Sequence, residues 1–152
     1  MSWTSRLAEL GVRLPEVAAP VAAYVPAVRS GALVYTSGQL PFVSGTLAAT
    51  GKVGADVSPE EAKDHARTCA LNALAAIDAL VGLDSVVRIV KLTGYVASAE
   101  GFTGQPAVIN GSSELLGEIF GDAGRHARAA VGVAELPLGA PVEVDLIVEI
   151  GE

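Results

Sequence analysis

Apolar positions recur along this chain at two different periods, and the switches between them divide it into elements. Trp3, Leu7 and Leu10 fall at i, i+4 and i+7, one face of a short helix that Gly11 ends. Residues 14–26 are rich in Ala, Val and Pro and read as an extended surface segment. Two β-rich runs, 24–28 and 33–36, then flank Arg29-Ser30-Gly31-Ala32, the composition of a hairpin turn. Residues 38–57 carry four glycines and little periodicity, which predicts a long loop with one short strand around 46–48.

The clearest helix starts at Ser58-Pro59-Glu60-Glu61, where Ser58 caps, Pro59 suits the first helical position and Glu61 completes a capping box. Ala62, Ala66, Cys69, Ala73, Ile77 and Leu80 form its apolar stripe, and Gly82 ends it. Residues 86–96 are rich in β-branched side chains and predict a strand, with Gly94 as a bulge. A second helix is predicted from near Pro106 to Gly121, burying either Ile109, Leu116 and Phe120 or Val108, Leu115 and Ile119. Two strands, 126–135 and 142–150, close the chain. The order β-β-α-β-α-β-β predicts an α+β fold, a sheet with two main helices on one face.

The last strand alternates cleanly: Val142, Val144, Leu146, Val148 and Ile150 point one way, and Glu143, Asp145, Ile147 and Glu149 the other. The apolar set is expected to face the helices. In the strand before it, the more apolar set is Ala127, Ala129, Val131 and Val133, which puts Arg128, Ala130, Gly132 and Ala134 on the uncovered face beside Glu143. The small residues there suit close approach by a second subunit. A guanidinium in such an interface needs a partner, either an acid such as Glu143 that fixes register or an anionic ligand clamped by Arg128.

The 152 residues are expected to form one domain, 1–152. Ten Lys and Arg against 17 Asp and Glu leave a net charge of −7, which repels a polyphosphate, so no nucleic-acid partner is expected. With 51% hydrophobic and only 18% charged residues, some apolar surface is expected to be covered by another copy of the chain. The lone Cys69 forms no internal disulfide, and Arg6 and Glu9 interrupt any export signal, so a cytoplasmic location is expected. Glycines, prolines and polar residues break the uncharged stretch 30–51, so no membrane segment is expected. The Gly-rich stretch 45–54 lacks the Gly-Lys-Ser/Thr ending of a phosphate loop. His126 is expected to make an interface hydrogen bond rather than shuttle protons, His65 to be solvent-exposed, and Cys69 to be core.

Tyr24-Val25, the run Tyr35-Thr36-Ser37-Gly38-Gln39-Leu40-Pro41, Ile109-Asn110, the block from Ala127 to Pro137 around Arg128, and Val142-Glu143-Val144 resemble the RidA family, the YjgF-like or Rid/L-PSP enamine/imine deaminases. The resemblance implies a chorismate-mutase-like fold assembled as a homotrimer with clefts between subunits. It implies cofactor-free hydrolysis of reactive imines such as 2-aminoacrylate to a 2-keto acid and ammonia. Arg128 matches the residue that holds the substrate carboxylate, and Glu143 the acid that positions water. Tyr24 matches an aromatic hydroxyl closing the cleft, Ser37 and Gly38 its loop wall, and Asn110 a cleft residue on the second helix. Ala130 stands where the family often has Cys, so only its backbone contributes. Residues 1–20 form an N-terminal extension and 42–57 an enlarged loop, as in a longer subgroup. The alternative from another class is a non-catalytic protein that binds small carboxylates or protects a partner; the ribonuclease or translation-inhibitor reading of the family name fits the acidic charge poorly.

Overall fold

Local chemistry at the N-terminus starts the first helix: the Ser2 hydroxyl accepts the Ser5 N–H at 3.0 Å, and Gly11 at φ 68° ends α1 (Trp3–Leu10). The computed structural model describes residues 2–20 and 22–151. Trp3 anchors α1: its indole N–H donates to the Val86 carbonyl at 2.7 Å, and its ring meets Phe120 edge-on at 5.0 Å.

Five strands make the main sheet: β1 (Ala27–Ser30), β2 (Leu33–Thr36), β5 (Val86–Ala97), β6 (Ala127–Val133) and β7 (Val142–Ile150), in the order β1-β2-β7-β5-β6. β5 and β6 run parallel and every other neighbouring pair antiparallel, so the sheet is mixed. α2 (Pro59–Val81) and α3 (Gln105–Phe120) supply its helical layer. The core between them holds Val34, Leu74, Ile77, Ile89, Leu92, Ile109, Leu115, Leu116 and Leu146, all fully buried. Ser58 caps as expected, its hydroxyl accepting the Glu61 N–H at 3.1 Å, while the Glu61 carboxylate accepts from that hydroxyl at 3.2 Å rather than from the Ser58 N–H of a full capping box. Of the stripe on α2, Leu80 alone is exposed.

Several elements differ from the sequence reading. β1 starts at Ala27 rather than residue 24, and its turn tightens to Gly31-Ala32, because Ser30 already pairs with Leu33. The loop 38–57 holds a second small sheet: β3 (Phe42–Val43) pairs with β4 (Thr46–Leu47) across Ser44 at φ 51° and Gly45 at φ 80°. Asn72 ties this ribbon to α2 by donating to the Leu40 and Phe42 carbonyls at 3.0 and 3.1 Å.

Gly94 is not a bulge. The register shifts of β5 lie between Val86 and Arg88 and between Ile89 and Lys91. Gly94 is instead where α3 comes closest, since a Cβ there would sit 2.5 Å from Ile109 side-chain carbons. Gly111, which weakens the helix in sequence, serves the same end between helices: a Cβ there would overlap the Lys63 carbonyl of α2. Both candidate stripes of α3 are buried, because α3 is wedged among the sheet, α2 and α1.

The faces of β6 are the reverse of the expectation. Arg128 pairs with Leu92, Ala130 with Gly94 and Gly132 with Val96, all on the helical face of β5. A Cβ on Gly132 would meet the Gln105 amide at 2.8 Å, so small residues face inward because the start of α3 lies over them. Val131, on the other face, is 43% exposed. Hydrophobicity misleads here because the uncovered face carries Val28, Tyr35 and Val131 in the open beside its charged side chains.

Candidate functional site

Two clusters of the expected residues form, on opposite sides of the sheet. The first is built where residues 37–40 run beside β7: Gln39 and Val144 exchange backbone hydrogen bonds at 2.8 and 3.1 Å, which sets Gly38 against Glu143. The approach is so close that a Cβ on Gly38 would overlap the Glu143 carboxylate. Ser37 holds the incoming chain, its hydroxyl donating to the Val25 carbonyl at 2.6 Å and its N–H to the Pro26 carbonyl at 2.8 Å. Ser37 therefore shapes the wall by fixing Tyr24 to Pro26. Tyr24, Gly38, Glu143, Phe42 and Pro137 line a cleft together with Ala18, Ala19 and Pro20 of the N-terminal extension.

Glu143 sits half-buried on a face shared with acid. Burial, then the neighbouring Asp145 charge, raises its carboxyl above the ordinary value of 4.5. Asp145 is raised by burial too, while the Tyr95 hydroxyl, which donates to it at 3.0 Å, and the Lys91 charge oppose the rise. Tyr95 itself is pushed up to about 12, first by burial and then by its bond to Asp145.

The second cluster lies on the helical side of β6. Arg128 Nη1 donates to Asn110 Oδ1 at 2.7 Å and to Ser113 Oγ at 3.3 Å, and Nη2 reaches the Pro106 carbonyl at 3.4 Å. Asn110 and Ser113 are three apart on α3, so both oxygens face the same strand. All three acceptors are neutral, and among the described residues no carboxylate lies within 4.0 Å of the guanidinium. The positive charge of Arg128 is oriented but uncompensated within the protomer. Ala130, two residues on, is half-buried against the core.

Arg128 and Glu143 do not share a face, contrary to the sequence reading. Arg128 is level with Leu92 and Leu146, whereas Glu143 pairs with Tyr95 on the other face, three residues along and two strands over. At about 4.8 Å between strands and 3.3 Å per residue, their backbones stand roughly 14 Å apart, with side chains on opposite sides. One small ligand cannot touch both within a protomer.

His126 bonds within the chain rather than across an interface, its Nε2 2.9 Å from Ser113 Oγ and its Nδ1 2.6 Å from the Gly124 carbonyl. His65 is half-buried rather than exposed. Cys69 is core as expected, with burial pushing its thiol well up. Sequence reasoning missed Ser113, although its i, i+3 spacing from Asn110 was visible once α3 was assigned. Ala18, Ala19 and Pro20 end the N-terminal extension that the sequence reading sets apart, and they bring it into the first cleft.

A mixed α+β sheet with two helices on one face, an oriented arginine on its edge strand and a carboxylate in a cleft on its other side define a class of chorismate-mutase-like proteins. Residues 4–150 match the family described as "YjgF/chorismate_mutase-like, putative endoribonuclease", and the chain belongs to that YjgF/Rid family. It is 47% identical over 150 residues to Protein TCP17 of Trypanosoma cruzi, covering 96% of this chain and 92% of that one. The crystal structure of Atu1372 from Agrobacterium tumefaciens, a protein of unknown function, shares 49% identity and a TM-score of 0.90 over 98% of this chain and 92% of that one. Escherichia coli TdcF, solved with bound serine, shares 25% identity and a TM-score of 0.67 over 90% and 94%. In sequence, the protein named "Putative reactive intermediate deaminase TdcF" is 34% identical over 126 residues, 82% of this chain and 84% of its own. Among the described residues no helix is long and apolar enough to cross a membrane.

Proposed function

We propose that this protein is a cofactor-independent enamine/imine deaminase whose clefts lie between the subunits of a homotrimer. The observation that carries the reading is Arg128, held by neutral partners with no carboxylate within 4.0 Å among the described residues and separated from Glu143 by the thickness of the sheet. Two half-sites that one protomer keeps apart make a single site when a neighbour's β6 edge meets the Glu143 cleft. Val28, Tyr35 and Val131, exposed on the uncovered face, support such an assembly. In this reading residues 1–152 work as one RidA-like domain, with residues 1–20 as an extension that walls the cleft.

Arg128 binds the substrate carboxylate, a task its planar fork suits better than a lysine would. The serine bound by TdcF carries a carboxylate of the same kind. The enamine tautomerises to the imine, and Glu143 orients a water and accepts its proton as the oxygen attacks the carbon of the protonated imine. Glu143 returns that proton to the carbinolamine nitrogen and takes up the hydroxyl proton as the C=O bond forms and the C–N bond breaks, so ammonia and a 2-keto acid leave. Imines of this type hydrolyse readily in water, so positioning and charge stabilisation are all the protein has to add. Tyr24 closes the cleft, Ser37 and Gly38 form its wall, Asn110 holds Arg128, and Ala130 contributes its backbone.

The test is ammonia release while a pyridoxal-phosphate dehydratase generates 2-aminoacrylate, comparing wild type with Arg128→Ala. Acceleration by the wild type that the variant loses supports the deaminase reading. Pyruvate binding without acceleration favours the non-catalytic carboxylate binder instead. The net charge of −7 disfavours ribonuclease action, and a filter-binding assay at low salt is expected to retain no RNA.

A further inference from the structure

Arg128 is aimed by a hydrogen-bonded chain whose direction, with the imidazole neutral, is set from its far end. The His126 Nδ1 lies 2.6 Å from the Gly124 carbonyl, and a carbonyl only accepts, so Nδ1 carries the proton. In the neutral ring Nε2 is then a bare lone pair, 2.9 Å from Ser113 Oγ, and the proton between them belongs to the serine. Ser113 has a single proton. Having given it to His126, it can present only lone pairs to Arg128 Nη1 at 3.3 Å. Without the imidazole the hydroxyl is free to rotate, and one of its rotamers points a proton at the guanidinium. Asn110 Oδ1 accepts from the same Nη1 at 2.7 Å. The Nη2 contact to the Pro106 carbonyl is the longest at 3.4 Å, and among the described residues Nε makes no hydrogen bond.

We propose that Ser113 and His126 are positioning residues that turn Arg128 so that its Nε–Nη2 edge faces the incoming carboxylate. This rests on the reading of Arg128 as the carboxylate clamp. Nη1 is engaged and Nη2 gives one hydrogen to the Pro106 carbonyl at 3.4 Å, which leaves Nε–H and the second Nη2 hydrogen for a ligand, and two parallel N–H groups on that edge match the two oxygens of a carboxylate. Both residues act through Arg128 and touch no reacting atom. The ligand class is therefore an α-carboxylate held side-on, in which a single-oxygen anion or a neutral amide loses one of the two bonds.

The test is the dissociation constant of pyruvate, measured by calorimetry on the full-length assembled protein, with a thermal melt beside each variant. Ser113→Ala and His126→Ala are each expected to weaken binding roughly 3- to 10-fold, the range for losing one ordinary hydrogen bond. The pair together is expected to weaken it no more than Ser113→Ala alone, because both lie on one chain. Ser113→Thr, which keeps the hydroxyl, and His126→Gln, whose amide oxygen accepts at the Nε2 position, are expected to recover most of the loss. The Gln variant also serves if His126→Ala does not fold. Pyruvamide, which lacks the second oxygen, is expected to lose affinity in wild type and to be indifferent to Ser113→Ala. Independent, multiplying losses from the two alanine variants, or wild-type affinity in Ser113→Ala while Arg128→Ala loses binding, would overturn the proposal. Wild-type affinity in Arg128→Ala overturns the clamp reading itself, so the two failures are distinguishable.

Discussion

Replacing Gly38 by alanine is expected to separate activity from stability. The new methyl would overlap Glu143 Oε1 and lie 2.8 Å from its Cδ and 3.2 Å from its Cγ, so the carboxylate has to move by more than an ångström. The obstacle is the far end of a flexible side chain, and Gly38 itself needs no left-handed backbone. Turning Glu143 off its preferred rotamer costs about 0.5–1.5 kcal/mol. For a chain of this size that lowers Tm by about 1–6 °C. In the proposed role of Glu143 as the group that orients water, displacing it by about 1 Å is expected to lower kcat/KM about 100-fold, equivalent to about 2.7 kcal/mol. The functional loss therefore exceeds the structural one. Ammonia release from 2-aminoacrylate, read beside a thermal melt, checks it. Activity within threefold of wild type, or a Tm loss beyond about 10 °C with the fold collapsing, would refute the reasoning.

Gly94→Ala drives a methyl to 2.5 Å from Ile109 in the buried layer, where nothing can swing aside, and is expected to destabilise by about 1–3 kcal/mol; Ile109→Ala in the same chain should return part of that in a denaturant titration. Trp3→Phe removes the 2.7 Å bond to the Val86 carbonyl while keeping an aromatic against Phe120, and a loss of about 1 kcal/mol by urea unfolding is expected. Glu143 and Asp145 have carboxyls raised by burial, so their contribution is fully present below the unfolded value and is lost as pH rises through the folded one. Asp145→Asn, which keeps an acceptor for Tyr95, is therefore expected to raise Tm at about pH 7 and to give no gain near pH 3, below ordinary carboxylate values. An equal gain at both values would show that charge is not the cause.

How much of this was legible in the sequence follows from which signals are local. The cap at Ser58, the stop at Gly82 and the alternation of β7 were readable because each depends on neighbours in the chain. β3 was not, since two residues carry no periodicity and Ser44-Gly45 is an unobtrusive turn. The face of β6 was misread because its side is decided by what lies across: Ala130 packs on the core and Gly132 makes room for Gln105 of α3, while Val131 stands on the other side in the open. The candidate residues were readable from the motifs, but their division into two half-sites was not, because it depends on β5 running between β6 and β7. Gly38 was found as a loop residue; its closeness to Glu143 became visible only through the bridge between Gln39 and Val144.

Arg128 and Glu143 are proposed to act together only across a subunit boundary, and subunit mixing decides whether they do. Arg128→Ala and Glu143→Ala proteins, each inactive alone, are unfolded together, refolded in equal amounts and assayed for ammonia release, with co-assembly checked by two distinguishable tags. If each cleft takes its arginine from one subunit and its carboxylate from another, random mixing rebuilds about a quarter of the clefts, and about a quarter of wild-type activity returns. Mixed assemblies that remain inactive would contradict the account.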